Sequence, residues 1–392
     1  MNTTDLTPLP ARPNLEQYKK QAKELARLAR SGDPEAAERV GKWHPRPTAT
    51  FALADAQLVI AREHGFESWP KFAKLIKELG RENSPVSIFE AAADAVINGD
   101  IPALENLLRG HPELAHARST RVHRATLLHY TGANGFENCR QKTPKNAVAI
   151  AKVLLDAGAE VDALADAYGK STTLALVATS VHPLRAGLQI ELMEILLEHG
   201  ADIDGTTGGS NIVLAALHNG RGQAAEFLAS RGARLDLEAA AGVGRLDLVA
   251  DLFNNASKAQ MEAGFLWACE YGRDDVVDFL LSTVDPATQG ATGLTGLHWA
   301  VVGGQLETIR MLLKRGPPLE ARNVYGATAL GQALWSAFNG EPGVDHVTII
   351  ETLVNAGAKI EDGSLDWLAR QEGSSSLKDR IAEVLLSYGA KS

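Results

Sequence analysis

Leucine-rich phrases recur along most of this chain, and their spacing predicts its structural elements. Each phrase joins an apolar helical face to a short polar turn, in most copies through a glycine, as in LLEHGADIDG from Leu196. The phrases begin at Leu107, Leu154, Leu196, Leu228, Leu252, Leu280, Leu312, Leu353 and Leu385. The intervals between these leucines are 47, 42, 32, 24, 28, 32, 41 and 32 residues. The recurring interval of 32 residues indicates stacked helix pairs, with one pair in each repeat.

Residues 293–316, GLTGLHWAVVGGQLETIRMLLKRG, contain the complete pattern of one repeat. Thr295 is placed to cap a first helix, and Leu297 and Ala300 are spaced to face the neighbouring repeats. Gly304 is placed to end that helix before a second helix begins. The segment resembles the ankyrin repeat, whose first helix opens with Thr-Pro-Leu-His-x-Ala.

The same frame fits other stretches of the chain, and this recurrence makes the resemblance specific. The stretches are 90–99, 126–135, 172–181, 211–220, 235–244, 263–272 and 328–337. Together with the units that the leucine phrases mark, they give about nine ankyrin-like units from about residue 86 to the end. The resemblance implies an all-α ankyrin-repeat solenoid over 84–392, preceded by a small N-terminal helical cap over 1–83.

The first 80 or so residues lack the repeat and predict four helices of their own. A first helix runs to about Arg30, Asp33 with Pro34 opens a second, and a third runs from about Phe51 to His64. Ser68 is placed to cap the fourth. This segment looks like the helical leader of a set of bacterial ankyrin-repeat proteins. Its expected role is to cover the apolar face of the first repeat, and an independent binding module is the alternative.

Three long intervals contain inserted residues at 136–146, 181–189 and 338–346. All three lengthen the turn between the first and second helix of a repeat, so we expect them to project from one rim of the groove that the first helices line. The 24- and 28-residue intervals instead lack residues of the hairpin that links one unit to the next.

Composition and charge limit the kinds of partner that the protein is expected to bind and the cellular compartment in which we expect it. The net charge of −9 argues against duplex nucleic acid, which is bound through basic patches. No apolar run approaches the length of a membrane span, and no secretory signal is visible. Cys139 and Cys269 are too far apart in the repeat order for a disulfide framework. We therefore expect a cytoplasmic protein that binds neither nucleic acid nor membrane.

The resemblance implies that partner contacts come from the end of each first helix, the hairpin tips and the inserts. The predicted binding residues are His129, Tyr130, Asn134, Arg140, His182, His218, Asn219, Trp267, Glu270, Tyr271, Trp299 and Trp335. His129 and His298 occupy the histidine position of the ankyrin phrase, where a structural role is the competing interpretation. For the three tryptophans, core packing and a stacking platform are both open.

No catalytic, metal or cofactor motif is present. The Gly-Lys-Ser at 169–171 has Leu164 where a phosphate loop needs glycine. The histidines and cysteines show no metal-ligand spacing. No cofactor is therefore expected, and the pattern favours a protein that is not an enzyme.

The leading hypothesis is a non-catalytic protein that recognises a protein partner through its concave face and loop rim. The alternative is a small-molecule-binding protein or an enzyme with a pocket under the inserted loops, because these loops are long and of mixed polarity. A structural role as a spacer or assembly scaffold is the third hypothesis.

Overall fold

The computed structural model describes residues 6–7, 9–10, 13–45, 51–81, 83–134, 137, 140–205, 211–340 and 343–390. Over these residues the protein is helical and contains no strand; two isolated β-bridges join Ala165 to Ser171 and Gln289 to Thr295. The chain divides into two compact units, Met1–Arg231 (unit 1) and Gly232–Ser392 (unit 2). None of the described helices has the length and apolarity to cross a membrane.

Unit 1 contains twelve α-helices and two 3₁₀ helices among its described residues. They are α1 Leu15–Arg30, α2 Pro34–Trp43, α3 Leu53–Glu63, α4 Trp69–Leu79, α5 Pro85–Asn98, α6 Ile101–Gly110, the 3₁₀ helices Pro112–Ala115 and Leu128–Gly132, α7 Ala147–Asp156, α8 Thr173–Thr179, α9 Val181–Arg185, α10 Gln189–Glu198, α11 Ile212–His218 and α12 Gly222–Ser230.

Unit 2 continues the alternation of short first helices and their partners. Its helices are α13 Leu237–Val243, α14 Leu246–Phe253, α15 Lys258–Glu270, α16 Asp274–Leu280, α17 Gly296–Val302, α18 Leu306–Lys314, α19 Ala329–Asn339, α20 His346–Asn355, α21 Ser364–Arg370 and α22 Ser375–Ser387. Their apolar faces form one buried core that runs from Ala240 to Leu385.

The four N-terminal helices form where the sequence predicts them, around a separate core. Tyr18 of α1 packs edge-on against Phe72 of α4, with ring centroids 4.9 Å apart. The side chain of Asp33 accepts a hydrogen bond from the backbone N–H of Ala36 and caps α2. Ser68 precedes α4 as expected, but its side chain makes no capping bond. The boundary near residue 83 and the capping role of this segment stay predictions.

The repeat pattern predicted for residues 293–316 is confirmed in α17 and α18. The Thr295 hydroxyl accepts a hydrogen bond from the backbone N–H of His298 and caps α17. Leu297 and Ala300 are buried, and Gly304 ends the helix region with a φ of 70°. The division of the whole chain into nine such units stays a prediction.

A recurring hydrogen bond links each of several repeats to the one before it. A polar side chain just before the second helix of a repeat donates to a carbonyl oxygen at the end of the preceding repeat's first helix. The bonds are Asn146 to Gly99 (2.8 Å), Arg221 to Ser180 (3.2 Å), Arg273 to Gly242 (2.9 Å) and Gln305 to Glu270 (3.1 Å). They satisfy carbonyl groups that a helix end leaves without an internal partner.

The inserts differ in form from one another. The second insert folds into the short helix α9, and the third begins as a continuation of α19 as far as Asn339. The described residues of the first insert turn back toward α5, where Arg140 contacts Glu90. Residues 136, 138, 139, 341 and 342 of the inserts lie outside the described residues, and the prediction of a common rim stays untested.

Two first helices depart from the expected frame. Residues 126–135 contain the 3₁₀ helix Leu128–Gly132 rather than an α-helix. By contrast, α15 starts at Lys258, five residues before the predicted frame, because Ser257 and Gln260 form a capping box. The predicted loss of the linking hairpin is confirmed for the 28-residue interval, because only four residues separate α14 from α15.

The junction at Gly303 gives a direct test of repeat stacking. A Cβ atom at this position would overlap the carbonyl oxygen of Glu270, which is backbone and cannot rotate away. We expect Gly303→Ala to destabilise unit 2 by about 1–3 kcal/mol, because α15 and α17 must move apart. Urea unfolding of the full chain, followed by tryptophan fluorescence, measures the change.

Gly331→Ala is the matched control. A Cβ there would meet its nearest atoms at 3.5 and 3.6 Å, an ordinary contact distance, and alanine favours a helix interior by about 0.5–1 kcal/mol over glycine. Equal stability of the Gly303→Ala variant and the native chain would show that the junction tolerates a wider spacing.

Candidate functional site

The histidines of the ankyrin phrase lie in the core and hold turns together. His129 is fully buried, and its Nδ1 accepts a hydrogen bond from the Thr126 backbone N–H at 3.1 Å. His298 accepts the equivalent bond from Thr295 at 3.3 Å, and its Nε2 lies 3.2 Å from the carbonyl oxygen of Ala327. Burial lowers the pKa of His129 to about 4, so the ring is neutral at pH 7. Both rings therefore hold turns together in this structure, and His129 has no surface open to a partner.

Of the residues predicted to bind a partner, Tyr130 is likewise buried in unit 1, and the side chain of Arg140 is only 10% exposed. The Tyr130 side chain is 1% exposed, and the Arg140 guanidinium lies over its ring at 5.9 Å. Arg140 Nη1 lies 2.7 Å from a carboxylate oxygen of Glu90, and Nη2 lies 2.8 Å from Asp94. These contacts join the first insert to α5, so Arg140 stabilises the insert instead of projecting from it.

A second buried arginine completes this group of charges. Arg121 lies between Glu137, at 2.5 Å, and Glu90, at 3.1 Å. We call Glu90, Arg121, Glu137 and Arg140 the ionic cluster. Burial by itself would raise the pKa of Glu137, but the positive charge of Arg121 and the hydrogen bond from His123 outweigh it and lower the pKa to about 2. Glu137 is therefore ionised at pH 7, where it faces the guanidinium groups of Arg121 and Arg140.

A cavity of about 780 Å³ lies beside the ionic cluster. Glu137, Arg140 and Lys142 of the first insert line it, together with residues of α5 and of the N-terminal segment. Both buried arginines on its wall are already paired with carboxylates. The cavity therefore offers a ligand no uncommitted buried cation from the described residues.

The remaining predicted residues of unit 1 differ in exposure. Asn134 is partly buried and connects two repeats, because its amide donates to Thr179 at 2.9 Å. His182 is half-buried on α9, and burial lowers its pKa. His218 and Asn219 are exposed at the end of α11, where both side chains contact backbone carbonyl groups of the preceding turn. Of these four predicted residues, His218 and Asn219 are exposed, whereas Asn134 and His182 are only partly accessible to a partner.

The predicted residues of unit 2 come together as an aromatic group. The Trp267 ring lies 6.3 Å from Tyr271 of the same repeat and 6.5 Å from Trp299 of the next, measured between centroids. Each of these rings is half-buried. Each of these side chains therefore packs against a neighbouring ring and keeps part of its surface accessible.

A second tryptophan group encloses a cavity of about 870 Å³ on unit 2, here called the tryptophan cavity. Trp299, Trp335 and Trp367 line it, and Leu294, Leu330 and Leu334 add apolar surface. Trp335 is 50% exposed, and Tyr325 on the adjacent hairpin is 85% exposed. Trp299 borders both this cavity and the Trp267 ring.

Glu270 is a half-buried acid at the end of α15. It lies one helical turn after Trp267 and next to Tyr271. Burial raises its pKa to about 7, and no cation of the described residues forms an ion pair with it. Among the described residues no group of three or more His, Cys, Asp or Glu side chains could hold a metal ion.

Several residues of these surfaces escape the sequence analysis. Trp367 stands four residues after Gly363, as Trp299 stands four after Thr295. This equal spacing could have identified Trp367 from the sequence, but the sequence of α21 lacks the ankyrin phrase. Glu90 and Arg121 carry no such signal, because the ion pairs join residues 31 and 50 positions apart.

Removing Arg140 tests the structural role of the ionic cluster. We expect Arg140→Met to destabilise unit 1 by about 3–5 kcal/mol, because the buried carboxylate of Glu90 then loses one of its two arginine partners. Chemical unfolding at pH 7 measures the loss. Arg310→Met, which removes an exposed arginine paired with Glu307, is the control and should cost less than about 0.5 kcal/mol. A loss below 1 kcal/mol for Arg140→Met would contradict a tight buried cluster.

Glu270 gives a pH-dependent prediction. Because its pKa in the folded chain is raised to about 7, the unfolded chain ionises first, and stability falls as pH rises from the ordinary value of 4.5 to about 7. We expect Glu270→Gln to stabilise the protein by about 1–3 kcal/mol at pH 8 and to have little effect near pH 4.5. Unfolding curves of both chains at the two pH values measure this difference. An equal effect at both values would show that burial does not perturb this carboxyl.

The match to a family model agrees with the repeat pattern. The family model described as ankyrin repeats (3 copies) matches residues 265–363. A solved structure that is similar to the chain is the human ASB11 ankyrin repeat domain, at 22% identity and a TM-score of 0.38, covering 71% of this chain and 100% of that chain. No curated protein matches the sequence. Ankyrin repeats generally mediate protein–protein interaction. This chain carries ankyrin repeats, which the family match places at residues 265–363.

Proposed function

We propose that this chain is a non-catalytic binding protein whose unit 2 recognises an extended segment of a partner protein in the tryptophan cavity. The observation that supports the proposal is the exposure of large apolar side chains around one cavity. Trp335, Tyr325 and Val324 are 50%, 85% and 64% exposed. Clustered exposed apolar side chains are typical of interaction sites, since water contact with them is unfavourable.

The side chains around the cavity have the character of a protein-binding centre. Tryptophan and tyrosine are enriched among residues that dominate binding energy, and the three tryptophans are held by rigid helices. Because α17, α19 and α21 fix these rings before any partner arrives, association costs less ordering. The segment that fits would insert a large apolar side chain between Trp299 and Trp367.

The rim of the cavity adds polar groups that can orient such a segment. Glu361 pairs with Arg322 at 2.7 Å, whereas no described residue forms an ion pair with the neighbouring Asp362. The tips of adjacent hairpins are joined by a hydrogen bond from the Val324 backbone N–H to Thr292, 3.0 Å long. The rim is therefore ordered by the repeats themselves.

The alternative of a small-molecule pocket under the inserts has less support in unit 1 than segment binding has in unit 2. The cavity beside the ionic cluster is lined by insert residues, but its buried charges already neutralise one another. We therefore propose binding to a protein segment as the single function. The exposed His218 and Asn219 of unit 1 are proposed only as further contacts.

Trp335→Ala tests the proposed surface. Because Trp335 is half exposed, its truncation should leave folding intact while it removes one wall of the cavity. We expect the affinity for a partner captured by the native full chain to fall by about 2 kcal/mol or more, roughly 30-fold. Biolayer interferometry with the captured partner measures the change.

Leu386→Ala is the control, since Leu386 is 54% exposed on the same unit but does not line the cavity. It should leave the affinity unchanged. If the Trp335→Ala and Leu386→Ala variants bind the partner as tightly as the native chain, the tryptophan cavity is not the contact surface.

A further inference from the structure

The aromatic group next to the tryptophan cavity includes an acid, Glu270, that forms no ion pair with the residues the structure describes. Trp267, Tyr271 and Trp299 present half-buried rings within 6.5 Å of their neighbours. Glu270 lies three residues after Trp267 on α15, and side chains with this separation are neighbours on a helix surface. We call Trp267, Glu270, Tyr271 and Trp299 the cation site.

The cationic residue nearest to Glu270 along the chain has a partner of its own. Arg273 is the nearest cationic residue in sequence, and its Nε donates to the carbonyl oxygen of Gly242 at 2.9 Å. The Glu270 backbone carbonyl accepts from Gln305 at 3.1 Å, but the side-chain carboxylate forms no ion pair with any described residue. When no ion pair compensates the burial of a carboxylate, its charged form is stabilised by a cation that a binding partner brings close to it.

The charge of unit 2 favours the same kind of partner. Residues 232–392 contain 13 lysines and arginines against 21 aspartates and glutamates, a net charge of −8, so nearly all of the chain's −9 belongs to this unit. A field of this sign attracts basic segments and repels acidic ones.

Ring faces and a carboxylate together match one chemical group. The faces of tryptophan and tyrosine attract an ammonium or guanidinium ion, and a carboxylate adds a charge-assisted hydrogen bond. A metal ion would need several oxygen, nitrogen or sulfur ligands, and among the described residues no group of three or more His, Cys, Asp or Glu side chains could hold one.

We propose that the cation site binds the side chain of a lysine or arginine in the partner segment, beside the apolar side chain that occupies the tryptophan cavity. This inference rests on the proposed function and specifies its partner: a basic segment with one large apolar residue. Trp299 belongs to both the tryptophan cavity and the cation site, so the apolar and the basic side chain of the segment bind to one continuous surface.

A random 12-residue peptide library presented to the full chain is the first step of the test. Peptides that are enriched on the native chain and depleted on Trp335→Ala are the ligands of the proposed surface. We expect them to share a lysine or arginine at a constant separation from their apolar residue.

Titration calorimetry with one such peptide then measures the role of Glu270. We expect Glu270→Gln to weaken binding by about 10- to 100-fold. Replacing the peptide's cationic residue with methionine should weaken binding by a similar factor, and the two changes combined should cost little more than either alone. Because Glu270→Gln is expected to stabilise the fold at pH 8, unfolding does not explain a loss of affinity.

Glu307→Gln is the matched control, since it removes the same charge from an exposed position on α18. It should change the affinity by less than about twofold. If Glu307→Gln weakens binding as much as Glu270→Gln does, the field of the unit is responsible and the cation site is overturned.

The remaining outcomes separate the two proposals. Enriched peptides that lack a cationic residue, or that bind Glu270→Gln as tightly as the native chain, would overturn the cation site and leave the tryptophan cavity as the binding surface. A library that yields no peptide depleted by Trp335→Ala would overturn both proposals.

Discussion

The hydrogen bond between successive repeats is the interaction on which the proposed binding surface of unit 2 depends. Gln305 donates across the junction to the carbonyl of Glu270, and Arg273 does the same toward Gly242. Each bond fixes the end of one first helix against the start of the next second helix. Since Gly303 allows the backbones of α15 and α17 to approach closely, the rings of Trp267 and Trp299 can lie within 6.5 Å of each other.

Unit 1 uses a different device at its first insert. There the chain departs from the repeat spacing, and a buried group of ionised side chains joins the insert to α5. Such a group contributes little net stability compared with an apolar core, but it is strongly directional. Glu137 and Arg140 of the insert are therefore fixed next to Arg121 and α5, although the insert sequence has neither helical periodicity nor an apolar face.

The architecture could be predicted from the sequence because it repeats. The Thr295 cap has counterparts in Thr172 and Thr328, each of which caps its own helix, so the frame of one unit identified further units. The ion pairs of Arg140 could not be predicted, since its partner Glu90 lies 50 residues away and no periodicity connects them. For Trp299 the sequence left core and surface open, and the structure shows why: the ring packs against Trp267 on one side and borders a cavity on another.

The position of Trp299 between two places of different chemistry has a consequence for selectivity. A segment with only an apolar residue, or only a basic one, makes the contacts of the tryptophan cavity or of the cation site alone. It still loses its conformational entropy on binding. A segment that carries both, separated by the distance between them, gains both sets of contacts for nearly the same loss. In the proposed function, the spacing between the apolar and the basic residue, more than the identity of either, is thus the property by which the protein distinguishes partner sequences.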